Sequence, residues 1–119
     1  MKKILIVDDQ QGIRLLLNEI LQREGFETFQ SGNGLHAVEL VQEHDFDLML
    51  LDMNLPGLHG LEVLKEVRNS IGKQFPIMMM TAYGEQSLIE EALAYREVHY
   101  FTKPFNIFEL LAQVKAVLQ

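Results

Sequence analysis

The 119-residue chain contains no cysteine. That excludes disulfides and thiolate metal sites, and it fits a reducing compartment. Positive charge is scarce: 10 lysines and arginines stand against 17 aspartates and glutamates, for a net charge of −7. A surface of that sign does not hold a phosphate backbone, so no nucleic-acid partner is expected. Long apolar runs are also missing. After Met1-Lys2-Lys3 only Ile4-Leu5-Ile6-Val7 precede Asp8 and Asp9, too short a run for a secretory signal or a membrane span. No membrane partner is expected, and a cytoplasmic location is. The length predicts one domain over residues 1–119, with no room for a separate DNA-reading module. Hydrophobic residues make up 48% of the chain, which predicts a packed core.

What is present is organised around Leu48-Met49-Leu50-Leu51-Asp52-Met53-Asn54-Leu55-Pro56-Gly57. An uncharged apolar run ends in a carboxylate and a Pro-Gly turn. Such a run reads as a strand buried on both faces, the mark of a parallel sheet covered by helices. Similar runs alternate with segments of helical period. Strands are predicted at Ile4–Val7, Glu27–Gln30 (an edge strand, from its polar-apolar alternation), Asp47–Leu51, Pro76–Met80 and Val98–Phe101. Helices are predicted over Gly12–Glu24 with Gly25 as stop, from the Asn33 cap to about His44, over Leu58–Asn69, over Glu85–Tyr95, and from the Asn106 cap to Leu118. This is a (βα)5 alternation. Right-handed crossovers then favour an α/β doubly wound parallel sheet of strand order 2-1-3-4-5.

That order makes strands one, three, four and five neighbours, and their carboxyl ends carry polar groups. Asp8 and Asp9 follow strand one, Asp52 strand three, Thr81 strand four, and Lys103-Pro104 strand five. Open α/β sheets bind ligands at that rim. Two carboxylates about 4 Å apart repel by roughly 4 kcal/mol at an effective dielectric near 20, so the group needs cations. All-oxygen ligands without His or Cys suit Mg²⁺, which shares phosphate oxygens readily. A carboxylate can attack a phosphoryl group to form an acyl phosphate. The transferring group wants cations and donors more than a base. Asp52 is the candidate acceptor, with Lys103 as cation and Thr81 as hydroxyl donor. Taken singly, a strand-end Asp is more often a turn or cap residue, and Lys-Pro or Thr carries little. It is their order and spacing that carry weight. His36, His44, His59 and His99 show no ligand spacing and read as surface residues. Met78-Met79-Met80 reads as core filler.

Asp8-Asp9, Asp52 followed by Pro56-Gly57-x-x-Gly60, Thr81-Ala82 and Lys103-Pro104-Phe105 together resemble the receiver domain of bacterial response regulators, over essentially the whole chain. The resemblance implies a flavodoxin-like fold and Mg²⁺-dependent phosphorylation of Asp52 by a phosphohistidine donor, with Mn²⁺ able to substitute. It implies Asp8, Asp9, Asp52 and the Asn54 backbone carbonyl as metal ligands. It places Thr81 and Lys103 on the phosphoryl group and Tyr100 as the switch aromatic. It also implies a cis Lys103–Pro104 bond. Further matches, among them Gly12-Ile13-Arg14, Thr28-Phe29-Gln30 and Met80-Thr81-Ala82-Tyr83-Gly84-Glu85, point to the family's single-domain phosphorelay members. These take phosphate from a sensor histidine kinase and pass it to a four-helix-bundle histidine phosphotransferase in control of sporulation. A monomer that ends with its fifth helix is then expected. The alternative is a stand-alone receiver acting as a phosphorylation-switched binding module. A haloacid-dehalogenase-like phosphatase is disfavoured, because that class wants an acid where this chain has Gln10.

The first helix carries an apolar stripe wider than one buried face needs. The resemblance assigns Gln10, Gly12, Ile13, Leu16, Tyr83, Pro104 and Phe105 to partner docking, whereas Leu17, Ile20 and Leu21 read as core. The chain departs from the phosphorelay pattern at Asn54, where a lysine is usual, and at Tyr100, where a histidine is usual. It also has Arg96-Glu97 where Gly-Ala is usual. A left-handed residue there strains anything but glycine, so an irregular segment between Tyr95 and Val98 is expected, with the strain at Arg96.

Overall fold

A computed structural model of the chain describes residues 1–82 and 85–119. Five parallel strands form one sheet: β1 (Lys3–Val7), β2 (Glu27–Ser31), β3 (Leu48–Asp52), β4 (Ile77–Thr81) and β5 (Val98–Thr102), in the order β2-β1-β3-β4-β5. The expected strand order and class hold. The ends move by one residue or so, and the shifts at β3 and β4 draw Asp52 and Thr81 into the ladder itself.

Each apolar strand feeds two cores, because successive side chains point to opposite faces. Leu5, Val7, Met49, Leu51, Ile77 and Met79 pack on one side. Ile4, Ile6, Leu48, Leu50, Met78 and Met80 pack on the other. The three methionines are core, as their place in a buried run predicts. The first side is covered by α2 (Gly34–Glu43), α3 (Gly60–Lys65) and α4 (Gln86–Leu93). The second is covered by α1 (Gln11–Arg23) and α5 (Ile107–Val117), through Leu17, Leu21, Leu110 and Val114. Asn33 caps α2 by accepting from the His36 N–H at 2.8 Å, and Asn106 caps α5 by accepting from Phe108 and Glu109. Gln10 precedes α1 without a side-chain cap.

The third helix departs from expectation. In place of one helix over Leu58–Asn69, α3 gives way to a π-helix over Glu66–Ile71, closed by Gly72 at φ 79°. Arg68 lies in that wide turn and is buried. Its guanidinium donates to the carbonyls of Lys73 at 3.0 Å, Phe75 at 2.6 Å and Arg96 at 3.1 Å, and stands over the Phe75 ring. Its burial lowers its pKa. Arg68 follows Leu64 by four residues and Leu61 by seven, so it shares their buried face.

The segment before β5 is a turn, as expected, but the strain falls one residue later. Glu97, not Arg96, takes the left-handed backbone, at φ 56°. The turn is held by the Arg68–Arg96 bond and by the Ile77 N–H donating to the Glu97 carbonyl. His44 is also not a plain surface residue: its ring is half-buried in a cluster with Phe29 and Phe46. Among the described residues no helix is long and apolar enough to cross a membrane.

Candidate active site at the carboxyl rim of the sheet

The register brings the rim together. Val7 stands opposite Leu51, so Asp8 comes level with Asp52 on the neighbouring strand. Asp52 in turn pairs with Met80, and Thr81 with Thr102, immediately before Lys103. Asp8, Asp9 and Asp52 each offer a carboxylate oxygen, and these oxygens all lie within 4.8 Å of one another. Lys103 Nζ stands 2.9 Å from Asp8 and 3.4 Å from Asp52. The Lys103–Pro104 bond is cis.

Backbone groups hold these side chains. The Gln10 N–H donates to Asp8 at 2.9 Å and the Asn54 N–H to Asp52 at 3.2 Å. Gly60 closes the loop after β3, donating its N–H to the Met53 carbonyl at 3.0 Å. The Lys103 N–H donates to the Thr81 carbonyl, which ties the β5 end to β4. Sequence reasoning missed Arg14, whose guanidinium donates to the Asp8 carbonyl at 2.6 Å. Nothing in the spacing of Asp8 and Arg14 marks that bond.

The electrostatics follow from crowding and burial. The Asp52 carboxyl is raised from its ordinary 3.8 to about 6, by burial first and by the charge of Asp8 second, with Lys103 opposing. Burial pulls the Lys103 ammonium down, but its bond to Asp8 and the charges of Asp52 and Asp8 outweigh that and raise it overall. Two buried carboxylates, an exposed third and one lysine leave net negative charge. Three converging carboxylate oxygens with no soft donor fit a hard divalent cation. A cavity of about 220 Å³ opens on the cluster, lined by Asp9, Gln10, Asp52, Asn54, Ala82, Glu85 and Lys103.

Of the other expected residues, among those described, Gln10 lines that cavity and the rest do not. The Thr81 hydroxyl is turned away, toward the Phe101 carbonyl at 3.5 Å. Thr81 lines a separate cavity of about 370 Å³ between α4 and β5, with Tyr100, which is 47% exposed. Gln10, Gly12, Leu16 and Pro104 are exposed, and Ile13 and Phe105 half-buried. Leu17 and Leu21 are core and Ile20 half-buried. Tyr83 lies outside the described residues.

Comparison with known proteins agrees with this geometry. The response regulator receiver domain family matches residues 4–115. The chain is 47% identical to sporulation initiation phosphotransferase F of Bacillus subtilis, over 98% of this chain and 94% of that protein. It is 41% identical to the transcriptional regulatory protein SrrA of Staphylococcus aureus, and there it spans about half the relative, 48% of its length. Among solved structures it resembles response regulator TrrA of Thermotoga maritima in complex with Mg²⁺ and beryllofluoride, at TM-score 0.86 and 40% identity over 99% of this chain and 100% of that one. It also resembles chemotaxis protein CheY4 of Vibrio cholerae, at TM-score 0.89 and 34% identity over 99% of both chains. An acidic cluster paired with a lysine on the rim of a 2-1-3-4-5 sheet, and a family match across nearly the whole length, lead to one conclusion: the chain belongs to the response regulator receiver domain family.

Proposed function

We propose that this chain is a phosphorelay intermediate. It accepts a phosphoryl group from a sensor histidine kinase onto Asp52 and passes it to a four-helix-bundle histidine phosphotransferase, in control of sporulation, as a cytoplasmic monomer folded as one domain over residues 1–119. The observation that carries the reading is the convergence of Asp8, Asp9, Asp52 and Lys103 on one open cavity. The match to sporulation initiation phosphotransferase F, nearly end to end in both proteins, supports the relay role.

With a carboxyl held at about 6, Asp52 is ionised at neutral pH, as an attacking group must be. One of its carboxylate oxygens forms the new phosphorus–oxygen bond as the donor's phosphorus–nitrogen bond breaks, and the electron pair stays on the imidazole. The same chemistry reversed delivers the group to the acceptor histidine. Lys103 neutralises charge on the transferring oxygens. The Thr81 hydroxyl leaves the Phe101 carbonyl to donate to one of them, and Tyr100 turns inward behind it. Mg²⁺, or Mn²⁺ in its place, would be held by Asp8, Asp9, Asp52 and the Asn54 carbonyl, and supplies further positive charge to those oxygens. The TrrA complex with Mg²⁺ supports this choice of ion.

Millimolar Mg²⁺ is expected to raise the melting temperature by several degrees. Binding to the folded state alone contributes about 2.7 kcal/mol at a hundred times Kd. Calorimetry showing no shift would contradict an ion site at the cluster.

Docking is proposed over Gln10, Gly12, Ile13, Leu16, Tyr83, Pro104 and Phe105, of which Gln10 lines the cavity with Asp52. Leu16→Ala is the cleaner probe, since Leu16 is 48% exposed whereas Ile13 packs against the core. Its transfer rate is expected to fall about tenfold, the effect of one interface anchor of ~1.4 kcal/mol, with the melting temperature unchanged. An unaltered rate would remove Leu16 from the interface.

A second reading is a phosphorylation-switched binding module. The α4–β5 cavity beside an outward Tyr100 favours it, as does the match to SrrA. A chase separates the two. Protein labelled by a phosphohistidine kinase is mixed with a histidine phosphotransferase. Label moving to the second protein supports the relay, and label retained on this chain supports the switch.

A further inference from the structure

Glu85 stands just before α4, where an acidic residue needs no explanation beyond the helix dipole. Its side chain, however, makes no capping bond to that helix. Oε1 instead reaches back and accepts the Ala82 N–H at 2.6 Å. Ala82 directly follows Thr81 at the end of β4, and both Ala82 and Glu85 line the cavity that holds Asp52 and Lys103. Among the described residues Glu85 forms no ion pair. Lys103, the cation of this cavity, is committed to Asp8 and Asp52. A carboxylate has thus entered an already negative site and found a backbone donor in place of a cation. A charge-assisted N–H bond of this kind is about twice as strong as a neutral one.

A phosphoryl group on Asp52 brings more anionic oxygens into the same 220 Å³ space. Those oxygens seek N–H donors, and the Ala82 donor is already taken by an anion of the protein's own. One N–H does not serve both, and like charges so close repel. Resting on the reading of Asp52 as acceptor, we propose that Glu85 is a latch on the site: its carboxylate occupies the Ala82 N–H while Asp52 is bare, is displaced when the phosphoryl group arrives, and returns when it leaves. The latch opposes phosphoryl uptake and favours phosphoryl release. Both suit a carrier that must give its cargo up.

The test uses Mg²⁺ with beryllofluoride, a phosphoryl mimic, titrated calorimetrically into wild type, Glu85→Gln, Glu85→Ala and Asp52→Asn. Glutamine keeps an acceptor for Ala82 but no charge, and alanine removes both, so the pair remains informative if one variant folds poorly. Both Glu85 variants are expected to bind the mimic about three- to tenfold more tightly than wild type, the range of one removed partly exposed charge and one freed donor. In NMR spectra the wild-type Ala82 amide resonance should move on binding. In Glu85→Ala it should already have moved before the mimic is added. Unchanged or weaker affinity, with a lowered melting temperature, would overturn the latch and leave Glu85 a structural brace of the β4–α4 turn. If wild type takes Mg²⁺ but neither it nor the Glu85 variants take beryllofluoride, the acceptor role of Asp52 falls and the latch with it.

Discussion

Asp52→Asn is expected to abolish phosphoryl uptake and, without divalent ions, to make the protein more stable at neutral pH than wild type. The first effect removes the attacking oxygen. The second follows from the folded carboxyl lying near 6 against an ordinary 3.8, through burial and the neighbouring Asp8. The folded chain holds this proton more tightly than the unfolded chain does. Between about pH 4 and pH 6 the unfolded state has lost it while the folded state keeps it, so stability falls as pH rises through that window. Above pH 6 the cost is present in full, on the order of 2 kcal/mol, at 1.36 kcal/mol for each pH unit and discounted for screening. Asparagine carries no such cost. Its side-chain oxygen still accepts the Asn54 N–H, and Lys103 keeps Asp8 at 2.9 Å. In chelator at pH 7.5 the variant should melt about 8 °C higher than wild type, and the two curves should converge toward pH 4. A variant less stable than wild type at pH 7.5 would mean that Asp52 stabilises the ion-free fold through Lys103, contrary to this account.

Gly60→Ala should damage the fold and the site together, through a methyl group added at the first residue of α3. A Cβ at Gly60 would overlap the Asp52 carbonyl oxygen and stand 2.8 Å from Met53 Cα. Both are backbone atoms of a buried strand end and do not yield as a flexible side chain does. The first turn of α3 must lift away and break the Gly60 N–H bond to Met53. Overpacking of this kind costs about 3 kcal/mol, and a melting temperature lowered by roughly 10 °C is expected. Phosphoryl uptake should fall as well, since the same loop carries Asn54, whose N–H holds Asp52. Gly57→Ala is the control. Its space is open but its φ is +75°, so a cost nearer 1 kcal/mol is expected, with uptake preserved. Equal losses from the two substitutions would show that loop entropy, and not the close approach at Gly60, governs the site.

The fold was legible because β1, β3 and β4 are buried on both faces. Ile4–Val7, Leu48–Leu51 and Ile77–Met80 are apolar without interruption, and only a covered parallel sheet uses such runs. The rim residues were legible for the same reason, since each ends a strand that was already visible. The π-helix was not. The residues of Glu66–Ile71 carry no mark of it, and the carbonyls that receive the Arg68 guanidinium, at Phe75 and Arg96, lie outside that segment. Left-handed Glu97 escaped by one residue because a turn's register is set by what it packs on. Glu85 escaped because a carboxylate before a helix looks the same in sequence whether it faces solvent or reaches back to Ala82.

The most direct measurement of the central claim is chemical mapping of the acceptor. The protein is incubated with a phosphorylated histidine kinase and Mg²⁺, then treated with borohydride, which reduces an acyl phosphate to an alcohol and so converts the phosphorylated aspartate to homoserine. Peptide mass spectrometry should find homoserine at position 52 and nowhere else, with none formed when Mg²⁺ is chelated. Homoserine at Asp8 or Asp9, or an unmodified chain in the presence of an active kinase and Mg²⁺, would contradict it.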